Sequence, residues 1–531
     1  MKIKKSMIVV FLLICMFFVH SCGGNDSGSE GSGSGAAEAI ALWAFPDGVS
    51  IPYRDDNNDI IAGNFNIGVV AYHSNGIDRI QFTVNGTTTD VTDETLNPET
   101  GEYEYVFNLD PATLAADGEY TMTAVAYPNN GTARTLPDLT IQKDTAPHNI
   151  LYVGPGGYST IDAACQAAEG GDIIKVSSGT YALPDQTGYD FSKYATIMPD
   201  GNDYVEVTSG SLRSSYLKFK NVTFDLTSSE TDAIISSQYT HFWFDGCMSI
   251  GFGKDAADNN ASAFRFYNSS EHVVIENCTI HDASLGATLS AGHYIVRKNH
   301  VYDVTADGFG YNGSNILISN NTIHNNHLPP GGDQHCDFIS SNDGADQVII
   351  RNNTCYNGHH QGLKMGAYHD FRPQPYSNIA IVNNLLAKVA DSAVNIQLLN
   401  TGQTYDNILI EHNTVWNGSN VFLIRDDDNF TYPAMISNIT VRNNIFGPNS
   451  VASYSYTEDK AVLDYNCFNN GNPSGPNSIT GDPLFENESN WNFVLLGSSP
   501  AKNRGKYVSN IKYDINWNPR NLINPSMGAY E

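Results

Sequence analysis

The sequence predicts an all-β protein in which a right-handed parallel β-helix follows an antiparallel β-sandwich. Short alternating segments joined by Asn-Gly and Asp-Gly turns fill residues 37–146, and such segments are typical of antiparallel strands. From residue 148 onward, segments such as "LISNNTI" and "IIRNNTC" recur with an asparagine at a fixed place. A repeat of this kind is typical of a solenoid of stacked coils.

The N-terminus has the features of an export signal. Lys2, Lys4 and Lys5 precede the apolar run "MIVVFLLICMFFV", which is too short to span a membrane as a mature helix. The following "VHSC" resembles the lipobox of bacterial lipoproteins, which implies that residues 1–22 are the signal and that Cys22 is lipidated. The alternative is an ordinary secretory signal with a chance cysteine.

Residues 23–36, "GGNDSGSEGSGSGA", are predicted to be a flexible linker between this signal and the first domain. We therefore expect a lipoprotein of the outer membrane that faces the periplasm or the exterior. It would touch the membrane only through its lipid anchor.

The charge of the chain limits its ligands. It has 28 Lys and Arg residues against 57 Asp and Glu residues, for a net charge of −29. This argues against nucleic acid as a partner, and it means that an acidic ligand needs a local cationic group or a bridging metal. The cysteines beyond residue 22 are scattered and signal neither a disulfide scaffold nor a zinc site. We expect a monomer.

Residues 37–146 are predicted to form one domain. Segments such as "GEYEYVFNL" alternate as strands do, and the spacing of the turns suggests a seven-stranded sandwich. In this respect the region resembles bacterial immunoglobulin-like modules. It contains no cluster of catalytic residue types, so we expect a spacer or a weak binding module.

Residues 147–531 are predicted to form the β-helix, beginning with a strand, a short helix and a second strand. Ser159 and Asp162 form a candidate capping pair for this helix, which we expect to plug the open end of the solenoid. The repeated position then lies from 22 residues (Asn277 to Asn299) to 32 residues (Asn321 to Asn353) apart in successive coils. We expect the amides at this position to stack and to bond the backbone at a corner. The aligned residues are Asn221, Gly246, Asn277, Asn299, Asn321, Asn353, Asn384, Asn413 and Asn444.

Each coil is predicted to carry a second strand whose outward side chains form one wall. The segments "ADGFGYN", "HCDFISS", "HQGLKMG", "DSAVNIQ" and "SNVFLIR" share an apolar residue, and alternation sends the neighbours of that residue outward. Parallel strands lie about 4.8 Å apart, so outward residues of successive coils are close neighbours. The inward residues in this alignment are Phe309, Phe338, Leu363, Val394 and Phe422.

This wall is predicted to bring together residues that could act on a ligand. One outward column contains Ile339, Lys364 and Asn395, and Asp337 lies diagonally beside Lys364. Lys364 lies between Gly362 and Gly366, which clear space on its strand, so it is a candidate to act on a ligand rather than to pack. The alternative is a solvated lysine paired with Asp337. The candidate substrate-binding residues are His335, His360, Asn395, Gln397 and Arg425.

A lysine base needs a cation beside it. Removing a proton alpha to a carboxylate builds negative charge there, which a cation must neutralise before an amine can work as the base. Asp307, Asp333 and Asp337 could supply the oxygen ligands that calcium prefers. The amine must also be unprotonated, and a neighbouring metal or Arg425 would lower its pKa.

"NGHHQGLKMGAY" resembles the segment of family 9 pectate lyases in which a "G-F-K-L-G" strand carries the catalytic lysine. The resemblance implies that Lys364 removes the C5 proton of a galacturonate in an acidic, pectic polysaccharide, with calcium bound nearby. The family has a "D-D-G-F-D" cluster one coil earlier, where this chain has "QHCDFIS" with Asp337 as the one carboxylate. The segment "GDPLFENESNWNFVLLGSSPAKNRG" resembles the closing segment of many bacterial β-helix proteins.

Three other functions remain open from the sequence. A glycoside hydrolase could use a pair of carboxylic acids drawn from Asp307, Asp333 and Asp337. A uronate epimerase would share the proton abstraction, and His335 near Asp337 suits that reaction. A glycan-binding solenoid without activity is the third, because fold does not fix function. A polysaccharide lyase is the interpretation that the residues favour.

Overall fold

The computed structural model describes residues 36–184, 189, 191–227, 234–251, 262–328, 335–366, 375–389, 392–398, 404–417, 420–426, 435–448, 451–454, 461–470 and 475–531. Within residues 392–398 (Val394 excepted), 420–426, 435 and 451–454 it describes the backbone alone. Residues 36–531 form one compact unit. Among the described residues, no helix is long and apolar enough to cross a bilayer.

The N-terminal part consists of two packed sheets. One has the strand order β1-β3-β7-β6, and the other has the order β2-β10-β8-β4-β5 with β9 beside β8. A 3-10 helix, Pro111–Thr113, connects β7 and β8. The strands are β1 (Ile40–Trp43), β2 (Val49–Ile51), β3 (Phe65–Tyr72), β4 (Ile77–Val84), β5 (Thr87–Val91), β6 (Glu94–Asn97), β7 (Glu102–Leu109), β8 (Gly118–Pro128), β9 (Arg134–Thr135) and β10 (Leu139–Lys143).

This sandwich differs in detail from the seven antiparallel strands that the sequence predicts. It has ten strands, and β10 pairs with β2 in parallel. The additional strands are short ones such as β2 and β9, which have too few residues to show a clear alternation. The first and last strands lie within residues 40–143, and the domain boundary at residue 146 stays a prediction.

The rest of the chain coils into a parallel β-helix with three walls. The covered wall consists of β12, β14, β17, β20, β23, β30, β33, β36, β39, β42 and the C-terminal halves of β25 and β27. The open wall consists of β16, β19, β22, β29, β32, β35, β38, β41 and the N-terminal halves of β25 and β27. The third wall runs from β13 to β44 through a parallel sheet of its own.

The strands and helices of this part, in chain order, are β11 (Ile150–Val153), α1 (Ile161–Ala167), β12 (Ile173–Val176), β13 (Gly179–Tyr181), β14 (Ala195–Pro199), β15 (Val205–Thr208), β16 (Gly210–Ser211), β17 (Leu217–Lys220), β18 (Thr223–Asp225), β19 (Ile234–Ser236), β20 (Phe242–Asp245), β21 (Met248–Ile250), β22 (Ser262–Tyr267), β23 (Val273–Glu276), β24 (Thr279–His281), β25 (Leu285–Arg297), β26 (His300–Tyr302), β27 (Phe309–Ser319), β28 (Thr322–His324), β29 (Ile339–Ser341), β30 (Ala345–Arg351), β31 (Thr354–Gly358), β32 (Leu363–Met365), β33 (Tyr376–Val382), β34 (Leu385–Val389), β35 (Ser392–Leu398), β36 (Thr404–Glu411), β37 (Thr414–Trp416), β38 (Asn420–Asp426), β39 (Met435–Arg442), β40 (Ile445–Phe446), β41 (Val451–Tyr454), β42 (Ala461–Asp464), β43 (Cys467–Phe468), β44 (Ile479–Thr480), β45 (Phe485–Asn487), the 3-10 helix Glu488–Asn490 and β46 (Asn492–Leu495).

Helix α1 contributes to the core at the start of the coils. Ile161, Ala164 and Cys165 are buried in the cluster that fills the interior of the β-helix. The cap is Thr160, not the predicted Ser159, because the Thr160 hydroxyl accepts the Ala163 N–H at 3.0 Å. The helix begins at Ile161, the first residue of the apolar stripe, so the residue directly before it, Thr160, is the N-cap.

Asparagine turns the corners between walls. In one coil Asn315, Asn320 and Asn325 have φ of 59°, 53° and 60°, and asparagine tolerates this left-handed conformation better than most residues. The residue after the second corner is buried in a ladder, as when the Asn321 N–H and Nδ2 both donate to Asn353 Oδ1 at 3.0 Å. The ladder residues are Asn299, Asn321, Asn353, Asn384, Asn413, Asn444 and Asn466.

The predicted asparagine column is wrong by one residue in the first coils. Asn221, Gly246 and Asn277 occupy the corner itself, with φ of 56°, 66° and 55°. The ladder position in those coils holds Val222, Cys247 and Cys278, which are all buried. The two adjacent positions both favour asparagine, one for its backbone and one for its amide, so an alignment on asparagine alone cannot separate them.

Candidate functional site

The open wall places Lys364 on a rigid strand. Leu363 and Met365 belong to the core, so alternation turns Lys364 to the opposite face of β32. Ser340 lies opposite Lys364 on β29, and Asn395 lies opposite it on β35. The strand that carries the candidate base is thus anchored on its inner face and paired on both edges.

The predicted register is wrong for the coil before Lys364. Ile339, not Phe338, pairs with Leu363, and Ile339 is a core residue. Phe338 lies just before the strand and is also fully buried. Its ring packs against Gly358, where a Cβ would lie only 2.6 Å from the ring. Two consecutive buried residues break the alternation, so the polar neighbour of Lys364 is Ser340 rather than Ile339.

Lys364 is buried although it faces away from the core. Its residue is 2% exposed, and its Nζ donates to Asn342 Oδ1 at 2.9 Å. The alternative of a solvated surface lysine is therefore wrong. A buried amine among polar groups is a feature of sites rather than of surfaces.

Asp307 and Asp337 form a short carboxylate ladder next to this lysine. Asp307 Oδ1 accepts the Asp337 N–H at 2.9 Å, and Asp337 Oδ1 accepts the Gln361 N–H at 3.0 Å. Each carboxylate therefore serves the backbone of the following coil. Asp307 Oδ2 also accepts the hydroxyl of Ser340, which ties the ladder to the neighbour of Lys364.

The Asp307 carboxylate is held in surroundings that disfavour its ionised form. Burial and the charge of Asp337 raise the pKa of Asp307 to about 7. Asp337 is fully buried, and its Oδ2 has no hydrogen-bond partner within the described part of the chain. A proton on Asp307 or a bound cation would satisfy the pair.

The donor set suits a hard cation. An unpartnered, buried carboxylate oxygen on Asp337 lies next to the Asp307 carboxylate, and calcium takes carboxylate oxygens. Asp333, the third predicted ligand, lies outside the described residues. Of the four oxygens of these two carboxylates, three accept hydrogen bonds, and Asp337 Oδ2 is the one that the described residues leave to a cation.

Two histidines border the aspartates. His335 Nδ1 lies 3.8 Å from Asp337 Oδ1, and this interaction raises the pKa of His335. His360 Nδ1 accepts the Cys336 N–H at 3.0 Å, and its ring centre lies 5.0 Å from that of His335. The backbone bond leaves Nε2 of His360 as the protonated nitrogen of a neutral ring.

Other predicted site residues are placed only through their backbone, or not at all. Asn395 is opposite Lys364 and Gln397 is opposite Arg425 in the strand register, but their side chains are outside the description. Cys22 lies outside the described residues as well. The substrate-binding roles of Asn395, Gln397 and Arg425 and the lipidation of Cys22 stay predictions.

The sequence reasoning missed Ser340, Asn342 and Asn326. Asn326 is 2% exposed, and its Nδ2 donates to the Asp337 carbonyl at 3.0 Å. All three are small polar residues in or beside short strands, where they resemble ordinary turn residues. A correct register for "HCDFISS" would have found Ser340.

A second group of potential ligands lies where the sandwich meets the covered wall. Asp47, His241 and His272 are close enough to share an ion. However, the rings of His241 and His272 are stacked, with centres 4.6 Å apart and planes 9° apart. Parallel rings direct their nitrogen lone pairs side by side rather than toward one point, so the stack favours packing.

Comparison with known proteins places the repeats in a known fold. Residues 211–358 and 262–446 match the family described as "Right handed beta helix region". No curated protein matches the chain. Similar solved structures include pectate lyase Pel9A, with 16% identity, a TM-score of 0.42, and coverage of 73% of this chain and 97% of that one.

Two further structures extend this comparison. A PL6-family alginate lyase has 15% identity and a TM-score of 0.38, covering 68% of this chain and 56% of the other. A family 28 exopolygalacturonase of Yersinia enterocolitica has 10% identity and a TM-score of 0.36, covering 85% and 100%. Identities this low do not assign an activity. The chain is an all-β protein in which a right-handed parallel β-helix follows a β-sandwich.

Proposed function

We propose that the protein is a polysaccharide lyase that cleaves an acidic, uronate-containing and pectic polysaccharide by β-elimination. The observation that carries the proposal is Lys364, a buried lysine on an anchored strand beside the hydrogen-bonded carboxylates of Asp307 and Asp337. Packing alone does not account for an amine in this position, since burying it costs free energy that an apolar side chain would not cost.

In this reaction Lys364 takes the C5 proton of a uronate. The electron pair of the C–H bond forms the C4–C5 double bond, and the C4–O bond breaks with its electrons leaving on the glycosidic oxygen. The oxygen then takes a proton from solvent or an acid. Leu363 and Met365 hold the strand, and Asn342 accepts one N–H of Lys364, which orients the amine.

The carboxylate of the substrate must be neutralised as its charge develops. Asp307 and Asp337 would hold calcium, which supplies a positive charge to that carboxylate. Ser340 orients Asp307 through its hydroxyl. His335, whose pKa is raised by Asp337, lies at the edge of the same site, 3.8 Å from the Asp337 carboxylate.

Lys364→Gln tests the proposal. Purified protein is screened against acidic polysaccharides, and unsaturated product is read by ultraviolet absorbance with and without a calcium chelator. General base catalysis contributes roughly 100-fold to 10,000-fold, so the variant should lose at least about 100-fold in turnover. Lys388→Gln, on the third wall 4.5 Å from the Trp491 ring centre, is the matched control. Full activity of Lys364→Gln would exclude the proposal.

Hydrolysis is the second candidate, because the pKa of Asp307 is raised to about 7. A carboxylic acid that is still protonated near neutral pH can donate its proton to a glycosidic oxygen, with Asp337 as the partner carboxylate. New reducing ends without ultraviolet absorbance would support hydrolysis over elimination. Asp307→Asn should then abolish cleavage even when calcium is in excess.

We also propose that Cys22 carries a lipid that anchors the protein to the outer membrane. The lipobox-like "VHSC" and the linker that follows it support this proposal. Labelling of cells with a palmitate analogue should mark the wild-type protein and not Cys22→Ala. Release of the variant into the soluble fraction would be the accompanying result.

A further inference from the structure

A polar groove lies next to the Lys364 site, at the corner that follows the third wall. It is open to solvent and has a volume of about 510 Å³, within the usual range of ligand sites. Its lining includes Asp303, Asn325, Asn326, His327, Asn357 and His359. Amide, imidazole and carboxylate groups of this kind recognise hydroxyl groups.

Asn326 connects the groove to the catalytic wall. Its Nδ2 donates to the carbonyls of Asp337 and Ala306, at 3.0 and 3.3 Å. Its Oδ1 is buried and has no hydrogen-bond partner within the described part of the chain. A buried acceptor without a donor is costly, and a ligand hydroxyl in the groove would supply that donor.

His359 continues the connection on the other side. Its ring centre lies 4.7 Å from that of His360, which in turn borders His335 at 5.0 Å. The groove therefore begins where the site around Lys364 ends. His359, His360 and His335 thus form a continuous line of rings from the groove to the aspartates beside Lys364.

The charge of the groove selects among sugars. Among the described residues that line it, none is Lys or Arg, and Asp303 contributes a carboxylate. The chain as a whole is also strongly acidic, with a net charge of −29. A second uronate here would meet like charge without a cation, whereas a neutral sugar would meet hydrogen-bonding groups only.

We infer that the groove binds the sugar next to the reacting uronate, and that this sugar is uncharged. The inference rests on the proposed function, since it takes Lys364 as the reacting position. It names the substrate class as a heteropolysaccharide in which uronate and neutral units alternate, rather than a homopolymer of uronates.

Binding to an inactive variant tests the inference without turnover. Isothermal titration of Lys364→Gln compares a hexamer of galacturonate with a hexamer of alternating galacturonate and rhamnose. The alternating hexamer should bind at least roughly tenfold more tightly. Lys364→Arg, which retains the charge, replaces Lys364→Gln if thermal unfolding shows that the latter is misfolded.

Two groove variants in the same background locate the effect. Asp303→Asn removes the carboxylate and keeps a residue suited to the φ of 52° at this position. It should reduce the ratio of the affinities for the alternating and the galacturonate hexamers by roughly threefold. Asn357→Gly, also at a left-handed position, should weaken the alternating hexamer and leave the homopolymer unchanged. Lys388→Gln should change neither affinity.

The outcomes separate the inference from the proposed function. Equal or tighter binding of the galacturonate hexamer, binding of neither hexamer, or unchanged affinities in both groove variants would overturn the inference. Retained turnover in Lys364→Gln would overturn the proposed function instead, and that result comes from the ultraviolet assay rather than from titration.

Discussion

The covered wall and the open wall use the same strand geometry for opposite purposes. Outward residues of the covered wall, such as Ile295, Leu317 and Ile349, are buried in one hydrophobic cluster with the sandwich. In the open wall, the outward residues of three successive coils are Gly310, Ser340 and Lys364. The inner residues of both walls are alike, so the outward residues alone decide which wall is covered and which is available to a ligand.

The sandwich packs closely on the covered wall. The sequence predicts a spacer or a weak binding module, and the structure adds that this domain shares a core with the β-helix and makes polar contacts across the junction. Arg351 donates to Glu102 of the sandwich at 2.6 Å, and Arg297 donates to the Ala44 carbonyl at 2.9 Å. The sandwich is therefore part of the folded unit of the β-helix rather than a separate module.

Breaking the buried ion pair at the covered wall should have the largest effect on stability. Arg351 is 1% exposed and Glu102 is fully buried, so Arg351→Met leaves an uncompensated carboxylate. We expect a loss of about 3–5 kcal/mol in the free energy of unfolding, measured by urea denaturation. A loss below about 1 kcal/mol would show that the sandwich docks without this pair.

Removing apolar contact at the same wall should cost somewhat less. Ile349 is fully buried against the sandwich, and Ile349→Ala should destabilise by about 2–5 kcal/mol, since the deletion leaves a cavity. The catalytic rate of the folded fraction should not change. A drop in turnover without a drop in stability would mean that the two walls are coupled.

Raising the pH should lower the stability of the sandwich that packs on the covered wall. Burial raises the pKa of Glu94 to about 8, and burial with Glu102 nearby raises that of Glu104 to about 7. An unfolded glutamate ionises near 4.3, so the folded state binds more protons between these values. Stability is then full below about pH 4 and falls until about pH 8.

Glu94→Gln tests this dependence. It should reduce the slope of stability between pH 5 and 8 in urea denaturation, with a smaller total change than the two core substitutions because the packing is kept. Asp93→Asn, at an exposed neighbour that pairs with Lys512, is the control. An unchanged slope in Glu94→Gln would assign the pH dependence to other groups.

The smallest effect on stability, and a clear one on activity, should come from Ser340 on the open wall. Ser340→Ala removes the hydroxyl that binds Asp307 and should cost about 0.5–1.5 kcal/mol. If Asp307 holds a cation or a proton for catalysis, turnover should fall by roughly tenfold, with a shift of the pH profile. Loss of stability without any change in turnover would separate Asp307 from the chemistry.

Much of the fold follows from the sequence because one coil repeats the information of the next. The periodic asparagines and alternating strands predict the parallel β-helix, and Leu363 and Met365 predict the direction of Lys364. The register of the preceding coil was missed because Phe338 and Ile339 are both buried, which alternation does not allow for.

The site was harder to predict than the fold. Asp307 and Asp337 are predicted to lie together and do so, but the contacts of Asn326 and Asn342 depend on loops whose path the spacing in the sequence does not determine. The docking of the sandwich was missed for a similar reason. Leu317 and Ile349 lie in apolar strands whose other face fills the core of the β-helix, and no local pattern distinguishes a second buried face from the first.

The asparagine ladder also determines how this solenoid could grow. The amides from Asn299 to Asn444 each donate to the next coil and accept from the one before, and the series runs from the Cys278 N–H at one end to the Asn466 amide oxygen at the other. A duplicated coil that brought its own asparagine would join this chain of amides and leave no group unbonded. Lengthening by whole coils is thus cheap in evolution, whereas a partial duplication would break the series on both sides.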